Sequence, residues 1–190
     1  MARWESGARE RLVLAAVDLF TEQGYDATTV TQIAERAGVT KSTFFRYFPD
    51  KRDLLVAGQE TLSRLLTEGI AEAPESASPL EAVAAGLDRA SAAMGPMNRE
   101  IAPRVQAAIA ANVELQERDA LKSVGLAAAM TEALIARGTP KAVAILASEL
   151  GVLAFKQGFA EWSGTRGDIA LAPYVRVALT ELRSATQALT

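Results

Sequence analysis

Along this 190-residue chain apolar residues recur three and four positions apart, and no stretch alternates apolar with polar residues over the length of a strand. Such spacing restricts the chain to helices packed on helices, so it reads as all-α. Helix-breaking sequences divide it at Gly24, Gly38-Val39, Pro49-Asp50, Pro74 to Pro79, Gly95-Pro96, Asn112-Val113, Gly138-Thr139-Pro140 and Gly164 to Gly167. These breaks leave about nine helices, three of them short and within the first fifty residues. The expected organisation is an N-terminal three-helix module over residues 1–50 and a larger helical bundle over residues 51–190, with no internal repeat.

Composition narrows the function. Hydrophobic residues make up 49% and charged residues 23%, the balance of a compact soluble protein. Cys and His are both absent, which removes thiol nucleophiles, Ser-His relays, imidazole bases, structural zinc clusters and disulfides. The acidic residues are dispersed and no glycine-rich phosphate loop occurs, so neither an enzyme nor a bound metal or cofactor is expected. No charge-free run exceeds nine residues, and no membrane-spanning helix is expected. Leu12 to Phe20 is interrupted by Asp18 with no small-residue cleavage site after it, so a signal peptide is not expected and the cytoplasm is the expected location.

Local signals order the first fifty residues. A helix from about Gly7 to Gln23 buries Leu12, Ala16, Leu19 and Phe20 and stops at Gly24, where a left-handed conformation carries no steric cost. Thr29 opens a second helix, with Gln32 three residues on as a capping box requires, and Ile33, Ala34 and Ala37 face inward. Gly38-Val39 forms a tight turn. Thr40 then caps a third helix over Lys41 to Phe48, ended by Pro49 because a residue before proline disfavours helical angles. Asp50 is placed to cap a fourth helix from Lys51 to Glu72.

The helix, Gly-containing turn and helix over Thr29 to Phe48 match the arrangement that sets its second helix in the major groove of DNA. Phe44 and Phe48 lie four apart and face the small core, leaving Lys41, Ser42, Phe45 and Arg46 outward. Arg46 or Lys41 can donate to guanine, Thr43 can meet a base edge or a phosphate, and Phe45 can touch a thymine methyl. Lys51 suits a phosphate. Charge is divided accordingly. Thr31 to Arg52 carries a net +3 (Arg36, Lys41, Arg46, Lys51 and Arg52 against Glu35 and Asp50), whereas the chain from Asp53 onward carries 12 basic and 16 acidic residues. The alternative is a plain helical hairpin; an outward Phe45 beside Arg46 favours a surface that meets a partner.

The stretch from Phe20 to Leu55, FTEQGYDATTVTQIAERAGVTKSTFFRYFPDKRDLL, resembles the N-terminal DNA-binding region of the tetracycline-repressor (TetR/AcrR) family of bacterial transcriptional regulators. The resemblance covers about the first quarter of the chain. It implies an all-α, homodimeric, ligand-responsive repressor of nine helices whose last two form the dimer interface. By position it places Thr29, Thr31, Lys41, Thr43, Phe45, Arg46, Tyr47 and Lys51 where the family contacts DNA. Phe45 stands where the family commonly has Tyr, and Tyr47 where it commonly has His. A phosphate hydrogen bond is therefore lost at the first position and a different one offered by the Tyr47 hydroxyl.

The remaining three quarters resemble the family only in helix count. Between Thr139 and Gly164, Ala147, Gly151, Phe155, Gly158 and Trp162 form one stripe; with Val175, Leu179 and Leu182 of the last helix it reads either as a four-helix dimer interface, which the resemblance favours, or as internal core. A pocket walled by Leu65, Leu66, Met94, Met97, Val105, Ile109, Leu126 and Met130 would suit a small apolar effector, although Met and Leu at helical spacing also build ordinary cores. The expected partners are double-stranded operator DNA carrying an inverted repeat, a second copy of the chain and a small-molecule effector, with no membrane. The expected function is a repressor released from its operator by that effector. The competing reading is an α-helical ligand-binding or dimerisation protein without operator recognition.

Overall fold

Thr29 and Thr40 set the frame of the N-terminal part. The Thr29 hydroxyl accepts from the Gln32 amide at 3.2 Å while the Gln32 side chain accepts from the Thr29 amide at 2.8 Å, a complete capping box. Thr40 accepts from the Thr43 amide at 3.1 Å. Gly24 (φ 84°) and Gly38 (φ 68°) take the left-handed conformations that the two turns require. The structure, a computed structural model, describes residues 2–54, 58–165 and 169–189. In chain order the helices are α1 (Ala2–Gln23), α2 (Val30–Arg36), α3 (Lys41–Tyr47), a 3-10 turn (Lys51–Leu54), α4 (Gln59–Glu72), α5 (Pro79–Ala92), α6 (Pro96–Ala111), α7 (Val113–Ala136), α8 (Lys141–Ser163) and α9 (Ala172–Gln187). No strand occurs among the described residues.

The fourth helix departs from expectation. Lys51–Leu54 is a 3-10 turn, and α4 starts only at Gln59, after Gly58 at φ 90° with no side-chain cap. Asp50 therefore does not cap a helix running to Glu72, and no single rod carries Lys51 together with Leu65 and Leu66. Leu55 to Ala57 lie outside the described residues, as do Arg166 to Asp168 in the last of the expected breaks.

Two compact units make up the chain. The first joins Met1–Ala57 to Ile101–Ala120. Its core gathers Leu12, Ala16 and Phe20 of α1, Ile33 of α2, Phe44 and Phe48 at α3, Leu54 of the 3-10 turn and Leu115 of α7. Polar links reinforce it: Arg104 pairs with Asp18, Arg118 with Asp53, and Asn112 donates to Asp26 at 3.2 Å. A boundary drawn after residue 50 thus leaves out Leu54 and Leu115, which complete the first core.

The second unit comprises Gly58–Glu100 and Leu121–Thr190. Leu62, Leu66, Ile70, Leu87, Met130, Leu134, Trp162, Leu171 and Val175 belong to its core. Close helix approach depends on glycine: a Cβ built on Gly86 would stand 2.6 Å from the Leu66 carbonyl oxygen, and one on Gly158 would stand 2.6 Å from the Val175 amide nitrogen. Arg137, at the end of α7, donates to the carbonyls of Ala73 at 2.8 Å and Pro74 at 2.6 Å and so closes the C-terminal end of α4. The Trp162 indole donates to the Ile169 carbonyl at 2.6 Å.

Small residues on α8 therefore admit neighbours from the same chain. Gly158 faces α9, and a Cβ on Gly151 would meet Val83 of α5 at 2.6 Å. Ala147, Gly151, Gly158, Trp162, Val175 and Leu179 are buried within the second unit, with Phe155 and Leu182 packed against the same core. Within the single chain these eight residues pack in the second unit, Phe155 and Leu182 among them half-buried. By length and composition α8 is also apolar enough to cross a membrane, at a mean hydropathy of 1.4. Counting charge-free runs passes over it because Glu149 and Lys156 interrupt the run.

The Gly86 contact yields a test. Alanine in place of glycine inside a helix ordinarily gains about 1 kcal/mol. Here the added methyl meets backbone, so Gly86→Ala is expected to destabilise the second unit by about 1–3 kcal/mol in urea unfolding followed by tryptophan fluorescence. A midpoint equal to or above that of the parent chain would contradict the close α4–α5 approach.

Candidate nucleic-acid interface

Phe44 has no exposed surface, while Phe45, the next residue, is 49% exposed. The rings meet edge to face at 5.4 Å, and Phe48 lies 5.8 Å from Phe44 on the inner side. With Phe44 and Phe48 inward, Lys41, Ser42, Phe45 and Arg46 form the exposed face of α3, and Thr43 and Tyr47 flank it half-buried. The Lys41 ammonium lies 5.9 Å from the Phe45 ring centroid, and the Arg46 guanidinium 5.1 Å from that of Tyr47. This face offers two cations, a hydroxyl and a flat apolar ring on one helical surface. Such a set can donate to base edges and phosphates and touch a thymine methyl.

The other expected contacts have different surroundings. The Thr29 hydroxyl both accepts from the Gln32 amide and donates to the Gln32 side chain at 2.9 Å, so its only hydrogen is engaged in the cap. Thr31 is exposed on α2 beyond that cap. The Thr43 hydroxyl shares a 2.9 Å hydrogen bond with Thr40. Lys51 is turned inward: its ammonium donates to the carbonyls of Tyr25 at 2.7 Å and Thr28 at 2.9 Å and stands 4.0 Å from the Tyr25 ring centroid.

Local charge is redistributed in the same way. Arg36 forms a two-pronged bridge to Glu22 at 2.8 and 2.9 Å, which holds the Glu22 carboxyl below the usual carboxylate range. Arg52 lies 3.2 Å from Asp50 and 3.4 Å from Glu114. Of the five basic residues counted between Thr31 and Arg52, Lys41 and Arg46 remain on the exposed face of α3. Burial, followed by the charges of Glu114 and Asp50, pushes the Tyr25 phenol above its ordinary value. Arg11 was not anticipated. It reaches from α1 to the Ala37 carbonyl at 3.0 Å and closes the end of α2, a link between positions 26 apart that no periodicity signals.

The eight residues of the expected effector wall fall in two different units. Leu66, Leu126 and Met130 are buried in the core of the second unit, and Leu65 and Met94 pack against it. Val105 and Ile109 belong to the first unit, where Ile109 packs on the core containing Leu12 and Leu115. The eight residues are thus divided between two units. Helical spacing identified most of them as core-facing and could not say which core. Within the first unit Arg104 and Asn112 bind Asp18 and Asp26.

Residues 12–57 match the family model described as bacterial regulatory proteins, tetR family. Among characterised relatives, the chain is similar to the HTH-type transcriptional regulator TcmR of Streptomyces glaucescens, 35% identical over 75 residues, which are 40% of this chain and 33% of that protein. It is likewise similar to the HTH-type transcriptional regulator HbdR of Aromatoleum sp. (strain CIB), 47% identical over 47 residues, or 25% of this chain and 20% of that one. These matches therefore span a third or less of the relatives' own length. In three dimensions a TetR-family regulator from Syntrophomonas wolfei superimposes with a TM-score of 0.60 at 19% identity, covering 94% of each chain. FadR of Thermus thermophilus, a TetR-family repressor solved with lauroyl-CoA, gives 0.54 at 23% identity over 90% of this chain and 91% of its own. The all-α fold is shared across nearly the whole length.

The two neighbouring phenylalanines separate folding from binding. Phe44→Ala removes a fully buried ring and is expected to cost about 3–5 kcal/mol in thermal or urea unfolding of the first unit. Phe45→Ala is expected to change stability by no more than about 0.5 kcal/mol while weakening binding to duplex DNA in fluorescence anisotropy. Equal effects of the two substitutions on both measurements would contradict the assigned orientation of α3.

Proposed function

We propose that this chain, a member through residues 12–57 of the tetR family of bacterial regulatory proteins, is a sequence-specific DNA-binding transcriptional regulator. The observation that carries this reading is the α3 face: Lys41, Ser42, Phe45 and Arg46 are exposed together, on a helix whose phase is set by buried Phe44 and whose start is capped by Thr40. In this proposal Arg46 and Lys41 meet base edges or phosphates, Phe45 meets a thymine methyl, and Ser42, Thr43, Tyr47 and Thr31 meet the backbone or base edges. Binding DNA places the protein in the cytoplasm.

The regulator acts as a homodimer on an inverted repeat, with half-sites separated by about one helical turn (~10 bp) or a multiple of it. Support for the dimer comes from the outer side of α8. Val143, Leu146 and Leu153 are exposed there, with Leu150 between them half-buried, at the three- and four-residue spacing of a packing seam, and Val177 is exposed on α9. Leu146→Glu is expected to give monomers in analytical ultracentrifugation, with operator affinity reduced at least tenfold because two half-sites no longer bind together. A dimer that survives this substitution would remove the stripe from the interface.

Control by a small apolar effector that binds the second unit and releases DNA completes the reading, and repression is the proposed mode. Linkage supplies its test: effector and DNA must weaken one another by the same factor. A molecule found by thermal shift should lose affinity in the presence of saturating operator by the factor with which it releases that operator. Unchanged affinity would show that its site is not the switch. The alternative, a helical binding protein without operator recognition, is separated by one measurement. Binding to duplex DNA that enriches no sequence from a random pool favours it.

A further inference from the structure

Lys51 lies next to the DNA-reading helices with an ammonium that would suit a phosphate, yet that ammonium is held inside the first unit. It donates to the Tyr25 carbonyl at 2.7 Å and the Thr28 carbonyl at 2.9 Å and stands 4.0 Å from the Tyr25 ring centroid. The residues it grips are themselves fixed. Tyr25 is buried with its ring 5.1 Å from Phe20. Thr28 is buried, its amide donates to the Tyr25 carbonyl at 3.1 Å, and its hydroxyl donates to the Gly24 carbonyl at 2.7 Å. The next residue is Thr29, the cap of α2. Two carbonyls converging on one point at the end of a tight loop repel one another, and a cation between them offsets that repulsion.

We propose that Lys51 is a positioning residue rather than a phosphate contact: it clamps the loop from Tyr25 to Thr28 and thereby sets where α2 begins and how Thr29 and Thr31 are presented. The inference rests on the DNA-binding reading for its functional consequence, but the clamp itself belongs to the free protein. Removing it should loosen the start of α2 without removing a cation from the DNA contact. Affinity falls while the number of counterions released stays the same, a combination that loss of a phosphate contact cannot produce.

The test uses the full chain with Lys51→Met, which keeps length and loses charge and donors, and Lys51→Arg, which keeps both. Lys51→Gln is the milder version to be used if Lys51→Met does not fold. In the free protein, hydrogen exchange of the amides from Tyr25 to Ile33 should rise about tenfold or more in Lys51→Met. Buried α1 amides around Leu12 and Ala16 should not change, and Lys51→Arg should exchange like the parent. With a 30-base-pair mixed-sequence duplex as probe, Lys51→Met should bind about threefold or more weakly, with the slope of log affinity against log salt unchanged. Lys41→Met, on the exposed face, should lower that slope by about 0.9. A slope lowered by that amount in Lys51→Met, unchanged exchange over Tyr25 to Ile33, or exchange raised equally throughout the first unit would each overturn the proposal. If the parent chain binds no duplex DNA, the DNA-binding reading fails, and exchange in the free protein still decides the clamp.

Discussion

Burial of Phe44 sets the rotational phase of α3, and the chemistry of that helix depends on the phase. The ring has no exposed surface and sits in a core with Leu12, Phe20, Ile33, Phe48, Leu54 and Leu115. Turning α3 by one residue would exchange Phe44 for Phe45 in the core but carry Phe48 out of it, losing on the order of 2–3 kcal/mol of apolar burial and leaving a cavity as well. The same rotation would carry Lys41, Ser42 and Arg46 together off the outward side. Core packing and surface presentation are thus one constraint: the residues that fold the module hold the polar face outward.

Much of that module was legible in the sequence because its determinants are local. A capping box is encoded within four residues, and Thr29 with Gln32 forms it; Gly24 and Gly38 stand where the backbone turns left-handed. The inward and outward faces of α3 followed from helical period alone, and the all-α class from the absence of alternation. The ends were less well marked. Sequence extends the third helix to Phe48, whereas Phe48 is extended (φ −137°, ψ 121°), as the following proline demands.

What could not be read is long-range. Asp18 and Arg104 are 86 positions apart, and Lys51 grips carbonyls 26 and 23 positions earlier; no periodic pattern specifies such partners. A Lys beside a DNA-binding motif looks the same in sequence whether it faces solvent or its own backbone. The small residues of α8 pose the same ambiguity. Gly151 and Gly158 say that something comes close, and only the fold shows that it is Val83 of α5 and Val175 of α9. Likewise Ile109 and Leu126 share helical apolar character but belong to different cores.

In the proposed reading a single face, built on α3 with the start of α2, meets DNA. Amide chemical-shift mapping tests it most directly, by titrating the labelled full chain with a duplex recovered from a random pool. The largest changes are expected on Thr31 and on Lys41, Ser42, Phe45 and Arg46. Buried neighbours such as Phe44 should follow weakly, and the exposed α8 residues Val143, Leu146 and Leu153 should not move. Changes centred on α8 and α9, with α3 silent at saturating DNA, would contradict it.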